Sequence, residues 1–173
     1  MKALLVIDLQ KYFINENTEF LPGKIANFIE KHTFDYTVFF QYVNTPDSNF
    51  VKIHNWNHMF GSPETDIVDE VTQYLTGNNL FKKHSFSVFR AEGFSEFMKS
   101  KLINELYLCG IDTDACILSS EMEAFEKGYD AKVIEDLCAS HWGIEYHRKA
   151  IDLLKKNLGK QAIVKSNSFL EIK

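Results

Sequence analysis

Short apolar runs alternate along the chain with segments in which apolar residues recur every three or four positions. Residues 3–8 form a continuous apolar run that ends at the carboxylate of Asp8, which is typical of a central parallel strand buried on both faces. Comparable β-rich runs follow at residues 37–43, 80–83, 106–109, 131–135 and 161–164. The pattern therefore predicts six strands.

Helical spacing separates these runs. Helices are predicted over residues 24–31, after Pro22-Gly23, and over residues 64–74, 92–101, 116–127 and 145–157, the fourth ending at the C-cap Gly128. Residues 44–63 are polar, aromatic and irregular, and are predicted to form a long loop with a single helical turn. Alternation of strands and helices predicts an α/β fold: a doubly wound, mainly parallel sheet flanked by helices on both faces.

Composition agrees with one packed domain over residues 1–173, since 45% of residues are hydrophobic and no repeat or linker interrupts the chain. A net charge of −5 without a basic block argues against nucleic acid and anionic membranes as partners. The first apolar run is too short for a secretory signal, and no later run reaches membrane-spanning length. We expect a cytoplasmic protein that acts on a small molecule and needs no cofactor.

The three cysteines, Cys109, Cys116 and Cys138, show no metal-binding spacing and are expected to be reduced thiols. Cys116 follows a strand and a turn and opens a helix, where backbone N–H groups and the helix dipole favour a thiolate and could hold an oxyanion. A small core residue is the alternative interpretation of an isolated cysteine. That interpretation suits Cys109 and Cys138 better than Cys116.

Asp8 is the second candidate for chemistry. In a parallel sheet the ligand crevice lies beyond the carboxyl ends of the strands, which is where Asp8, the segment after Leu80 and the Gly110 turn fall. A carboxylate after an apolar run is costly to bury without a cation or donors, and next to a thiol it could act as a general base and acid. Lys83 is the cation that we place beside it.

Three segments resemble the isochorismatase-like cysteine hydrolases, the superfamily that includes the nicotinamidases. Residues 8–13 (DLQKYF) are similar to the family's D-x-Q-x-x-F opening, residues 83–89 (KHSFSVF) to its K-x-x-x-S-x-F segment, and residues 110–116 (GIDTDAC) to its nucleophile turn. Gly128-Tyr129, residues 135–140 and His147 match its carboxyl-terminal half. The resemblance spans nearly the whole chain in the expected order.

The resemblance implies an Asp8–Lys83–Cys116 triad in which Cys116 forms a thioester during cleavage of a C–N bond in a small amide. It also implies a cis peptide between Ile111 and Asp112, and an oxyanion hole built from the backbone N–H groups of Asp112 and Cys116. Members of the superfamily commonly form homodimers or homotetramers, which we also expect here.

The chain departs from the nicotinamidase pattern after the second strand. Tyr42 and Asn44 stand where two metal ligands of nicotinamidases would be, and His54 and His58, four residues apart, lack a clear third ligand. We therefore predict no metal site and interpret both histidines as loop or surface residues. A nicotinamidase without the usual metal stays an alternative.

Aromatic residues are candidates for substrate contact. We predict that Phe13, Tyr42 and Phe89 line the crevice, because they lie on segments that reach it. Two further hypotheses stay open. One is the vinyl-ether cleavage of superfamily members that lack the nucleophilic cysteine, which a chain with Cys116 fits less well. The other is a catalytically silent binding or scaffold protein of the same fold.

Overall fold

A computed structural model describes residues 1–169 and contains one parallel sheet of six strands. The strands are β1 (Lys2–Ile7), β2 (Tyr36–Tyr42), β3 (Leu80–Lys83), β4 (Glu105–Ile111), β5 (Asp130–Ala139) and β6 (Ile163–Val164). Their order is β3-β2-β1-β4-β5-β6. Residues 170–173, the end of the predicted domain, lie outside the described range.

Six helices connect the strands: α1 (Leu21–Lys31), α2 (Asn49–His54), α3 (Asp69–Thr72), α4 (Phe94–Ser100), α5 (Leu118–Glu126) and α6 (Ile144–Leu158). The chain moves outward from β1 to β2 and in the opposite direction from β4 to β5, so right-handed crossovers place α1 on one face and α5 on the other. α3 packs with α1, and α6 packs with α5. The predicted doubly wound fold is confirmed.

The core forms where the sequence is most apolar. Residues 3–7 of β1 are all buried, as expected for a central strand covered on both faces, and α1 buries Leu21, Ile25 and Phe28 against the sheet. No helix among residues 1–169 is long and apolar enough to cross a membrane.

The predicted helix over residues 64–74 is wrong: only the four residues of α3 are helical there. The backbone before α3 pairs with the segment after β1 instead of closing helical turns. Ile67 forms an antiparallel bridge with Gln10, and Val68 N donates to Leu9 O at 3.1 Å. Long-range pairing therefore overrides the local helical spacing.

Other boundaries differ as well: β6 covers only Ile163–Val164, because residues 160–162 form a short 3₁₀ helix, and two further differences lie close to the site. β5 continues to Ala139 rather than ending at residue 135, because Cys138 and Ala139 pair with Gly110 and Ile111 of β4 beyond a register shift. The predicted helix from Cys116 begins with one wide turn, Thr113–Ile117, before α5. Such wide turns are frequent at functional sites.

The strand order reverses between β1 and β4, and a crevice at such a point is the usual ligand site of a doubly wound sheet. Gly110 allows the two strands to meet closely there. Its φ is +120°, and a Cβ at this position would lie 2.1 Å from the carbonyl oxygen of Ile7. Only glycine suits this position.

Candidate active site

Asp8, Lys83 and Cys116 meet at the carboxyl edge of the sheet. Asp8 follows β1, Lys83 ends β3 and Cys116 lies in the wide turn after β4. Lys83 Nζ lies 2.7 Å from Asp8 Oδ2 and 3.3 Å from Cys116 Sγ, and it also donates to Ser85 O at 2.9 Å. Asp8 and Lys83 are fully buried, whereas Cys116 is 8% exposed. We call these three residues the floor of the site.

Burial and mutual charge set the proton affinities of the floor. Burial raises the pKa of the Asp8 carboxyl, and the Lys83 ammonium only partly offsets this. Burial and the Asp8 charge hold the pKa of the Cys116 thiol well above its ordinary value, against the pull of Lys83. Burial alone would lower the pKa of Lys83, but Asp8 and Cys116 outweigh it and raise that pKa. Burial therefore favours the neutral thiol of Cys116, and the contact with Lys83 favours the ionised form of Asp8.

Local structure holds Asp8 in place. Its backbone adopts a left-handed conformation, with φ of +50°, which Asp tolerates better than most residues. The buried Gln10 side chain links the ends of β1 and β2: Nε2 donates to Tyr42 O and Thr65 O at 2.9 and 2.8 Å, and Tyr42 N donates to Oε1 at 2.8 Å. We did not predict this role, although Gln10 is the polar residue of the D-x-Q motif.

The turn that carries Cys116 is held from behind by polar side chains. Ser120 Oγ donates to Cys116 O at 2.6 Å and accepts from Val88 N at 3.1 Å. Thr113 Oγ1 and His147 Nδ1 are hydrogen-bonded at 2.8 Å. His147, which the family resemblance singled out, therefore contacts this turn. The peptide bond between Ile111 and Asp112 is cis.

A cavity of about 710 Å³ opens above Cys116. Most of its lining is aromatic, and we call these seven residues the aromatic wall: Tyr12, Phe13, Tyr42, Phe50, Trp56, Phe86 and Trp142. The other lining residues are His54, His58, Asp112, Ala115, Cys116 and His141. Two predicted contact residues, Phe13 and Tyr42, thus line the cavity. Phe89 does not: its ring packs against Tyr129 and Phe94 at 5.5 and 5.8 Å.

The aromatic wall is joined by edge contacts and one hydrogen bond. The Trp56 ring lies 5.6 Å from both Tyr12 and Phe50, and Trp56 Nε1 donates to Tyr12 Oη at 2.9 Å. The Tyr42 ring lies 5.3 Å from Lys83 Nζ, which places it between wall and floor. Tyr12 occupies an unspecified position of the D-x-Q-x-x-F motif, so the motif does not single it out.

His141 was also missed by the sequence reasoning. Its backbone N–H donates to Asp112 Oδ1 at 2.7 Å, and its Nδ1 lies 2.5 Å from Asp112 Oδ2. The two residues are 29 positions apart, so no local motif joins them. The sequence offered one hint, since His141 directly follows residues 135–140, which match the family's carboxyl-terminal half.

The positions that bind a metal in nicotinamidases do not suit one here. Asn44 Oδ1 accepts from Tyr42 Oη at 3.3 Å and from Ser48 Oγ at 2.6 Å. The side chains of Tyr42 and Asn44 are therefore bonded to each other, and Asn44 is also bonded to the loop. His58 Nδ1 lies 2.9 Å from Glu64 Oε1 at the surface. Within residues 1–169, no three His, Cys, Asp or Glu side chains form a group that could hold a metal ion.

Fold and crevice together define the class: a doubly wound α/β protein with polar residues gathered at its topological switch point. Residues 2–165 match the family model described as isochorismatase domain, so the chain belongs to the isochorismatase family of hydrolases. A curated relative, isochorismatase domain-containing protein 2 of Xenopus laevis, is 38% identical over 60 residues. That match spans 35% of this chain and 29% of the relative.

Solved structures show the same fold at low sequence identity. An isochorismatase-like hydrolase from Alkaliphilus metalliredigens superposes with a TM-score of 0.82 at 19% identity, covering 96% of each chain. N-carbamoylsarcosine amidase from Thermoplasma acidophilum gives a TM-score of 0.78 at 21% identity, again over 96% of each chain.

Proposed function

We propose that the protein is a cysteine hydrolase that cleaves a C–N bond of a small amide-type substrate through a Cys116 thioester. The observation that carries this proposal is the position of Lys83 Nζ, within hydrogen-bond reach of both Asp8 and Cys116. A buried lysine that touches a carboxylate and a thiol at the base of a cavity is an arrangement suited to moving a proton between the two.

In the first half of the reaction, Asp8 takes the thiol proton as Cys116 attacks the substrate carbonyl. The negative charge moves from Asp8 to the sulfur and then to the carbonyl oxygen, and the Lys83 ammonium stabilises this charge near the floor. The backbone N–H groups of Asp112 and Cys116 are the proposed donors to that oxyanion. Collapse of the intermediate expels the amine, which receives its proton from Asp8 and leaves an acyl thioester.

In the second half, water replaces the amine. Asp8 accepts a proton from the water as it attacks the thioester, and the thiolate recovers that proton when it departs. The high proton affinity of the buried Cys116 favours this return, because the thiol is the stable resting form. The products are a carboxylic acid and a free enzyme.

The test is turnover of small amides, ureides and nicotinamide, measured as ammonia release, by the wild type and by Cys116→Ala. We expect hydrolysis of at least one compound by the wild type, none by the variant, and an acyl adduct on Cys116 detectable by mass spectrometry under acid quench. Turnover by Cys116→Ala of a substrate that the wild type cleaves would sink the proposal.

A catalytically silent binding protein is the second candidate, and the burial of Cys116 favours it. A thiol with 8% exposure and a raised pKa reacts slowly with electrophiles unless the site activates it. Alkylation by iodoacetamide at neutral pH separates the two candidates. Selective labelling of Cys116 over Cys109 and Cys138 supports the enzyme, and equally slow labelling of all three supports the binding protein.

Assembly and location stay predictions. A homodimer or homotetramer is supported by exposed apolar side chains that follow one another near the cavity: Trp142, Ile144 and Tyr146 are 68%, 59% and 48% exposed. Light scattering over a dilution series tests the assembly. Cytoplasmic location, and the absence of nucleic-acid and membrane partners, are tested by fractionation of cells that express the tagged chain.

A further inference from the structure

We propose that His141, held by Asp112, determines specificity by accepting a hydrogen bond from an N–H or O–H group of an uncharged, largely apolar substrate. This inference rests on the proposed function for the position of the scissile bond at Cys116. It adds the means by which the cavity recognises the rest of the substrate.

His141 is hydrogen-bonded at almost every polar atom. Its backbone N–H and its Nδ1 bond the Asp112 carboxylate, and its carbonyl oxygen accepts from Asn15 Nδ2 at 2.8 Å and Asn17 Nδ2 at 3.2 Å. The ring also packs against Phe13 at 5.4 Å. A residue on a loop is rarely held by this many contacts, and such support is what a positioned binding group requires.

The second ring nitrogen of His141, Nε2, is the atom that can bind a ligand. An ionised carboxylate can only accept, so the hydrogen shared with Asp112 Oδ2 lies on Nδ1. In the neutral ring Nε2 is then an acceptor. Within residues 1–169, no group pairs with Nε2, although the side chain is only 20% exposed and lines the cavity. A ligand that displaces water from the cavity leaves this acceptor without a partner unless the ligand supplies a donor.

Three other polar side chains of the lining already have hydrogen-bond partners. Tyr12 Oη accepts from Trp56, Tyr42 Oη donates to Asn44, and His58 Nδ1 is joined to Glu64. Among the described residues that line the cavity there is no Lys or Arg, so a carboxylate on the substrate would find no permanent cation. A neutral compound with a broad apolar surface fits this lining.

The test uses matched probes, 4-hydroxybenzamide and 3-hydroxybenzamide against their methoxy analogues, which lose the donor but keep the ring and amide. Dissociation constants are measured by calorimetry for the wild type, His141→Phe and His54→Phe. His54 is the control because it lines the same cavity from the exposed end of α2 without a carboxylate partner. Michaelis constants and kcat are measured wherever turnover occurs.

We expect the wild type to bind at least one hydroxy probe about five- to tenfold more tightly than its methoxy analogue, the value of roughly one hydrogen bond. His141→Phe keeps a planar ring but removes the acceptor and should abolish that preference, whereas His54→Phe should keep it. Equal binding of every probe pair by the wild type, no binding of any probe, or an unchanged preference in His141→Phe would overturn the inference.

These outcomes separate the inference from the proposed function. If hydroxy probes bind through His141 but neither they nor any other amide is hydrolysed, the specificity role stands and the hydrolase assignment fails. If amides are hydrolysed through Cys116 without a donor preference, the hydrolase assignment stands and the role of His141 fails.

Discussion

The floor and the aromatic wall of the site are built on different physical principles. The floor consists of three polar groups at or just beyond the ends of strands: Asp8 Oδ2 and Cys116 Sγ lie 2.7 and 3.3 Å from Lys83 Nζ. The wall consists of rings that contact one another at 5 to 6 Å and come mainly from connecting segments. Rigid strands therefore carry the charged groups, and loops carry the surface that a substrate meets.

The loop that supplies part of the wall is shaped by one side chain. Asn44 donates to Trp56 O at 3.2 Å and to His58 O at 3.0 Å, and its Oδ1 accepts from Thr45 N at 2.9 Å. These bonds fix the irregular parts of residues 44–63 on either side of α2. Substitutions in the loop can therefore change the wall without disturbing the floor, whereas substitutions in the floor also lower the stability of the fold.

The largest effect is expected from Gly110→Ala, which disturbs the backbone of the strands that position the floor. A Cβ would lie 2.1 Å from Ile7 O at a φ of +120°, so β1 and β4 must separate. We expect a loss of about 4 kcal/mol or more in the free energy of unfolding, measured by urea denaturation. Gly23→Ala is the control: nothing lies within 4 Å of its added Cβ, and a stability equal to or above the wild type is expected.

Asp8→Asn removes the acid and base of the floor and is expected to lower kcat by about 10²–10⁴. It also leaves Lys83 as an unpaired buried charge, which costs about 3–5 kcal/mol. The double variant Asp8→Asn with Lys83→Met should recover stability but not activity. Asp69→Asn, at an exposed ion pair with Lys11, is the activity control. Full activity of Asp8→Asn on a cleaved amide would contradict the mechanism.

Glu121 extends the comparison because it is a buried carboxyl that Lys132 influences only at a distance, whereas Asp8 contacts Lys83 directly. It is 1% exposed, Oε2 has no hydrogen-bond partner within the described chain, and burial raises its pKa to about 8. The folded state binds this proton more tightly than the unfolded state. Its stabilising contribution is therefore complete below the unfolded pKa of about 4.5 and is lost as pH rises through about 8.

The measurement is the free energy of unfolding of the wild type and Glu121→Gln from pH 5 to pH 9. Because the amide does not titrate, the variant should gain on the wild type by at least about 2 kcal/mol over this range, at about 1.4 kcal/mol for each unit of pKa difference. Parallel curves for the two proteins would show that Glu121 titrates normally in the folded state.

The smallest effect is expected at the wall. Trp56→Leu removes ring contacts with Tyr12 and Phe50 and the hydrogen bond to Tyr12 Oη. We expect KM for an aromatic amide to rise about three- to tenfold with kcat within about twofold, since each aromatic contact contributes about 0.5–1.5 kcal/mol. Phe125→Leu, on the exposed side of α5, should leave both constants unchanged. A large fall in kcat with constant KM would assign Trp56 to the chemistry instead.

The sequence indicated much of the fold and the composition of the floor. Apolar runs that end in a charged residue located β1 and β3, and the order of three motifs singled out Asp8, Lys83 and Cys116, which the structure brings together. Such signals are local, because strand burial and motif spacing are written in consecutive residues.

The same local reasoning failed where long-range pairing competes with helical spacing. Residues 64–68 form backbone bonds with the segment after β1 rather than a helix, and Phe89 joins Tyr129 instead of the cavity. Neither outcome has a signal in neighbouring residues. Both depend on which surface each segment meets after the sheet has assembled.

By itself, then, the sequence determined the type of sheet and the identity of the floor residues, because burial pattern and motif order are properties of the chain. Only the tertiary structure decided the wall and its polar anchor. Tyr12, Trp56 and His141 lie far apart along the chain, and Asp112 reaches His141 across 29 residues. Their contacts exist because the doubly wound sheet brings the ends of β1, β4 and β5 and the loop after β2 to one edge.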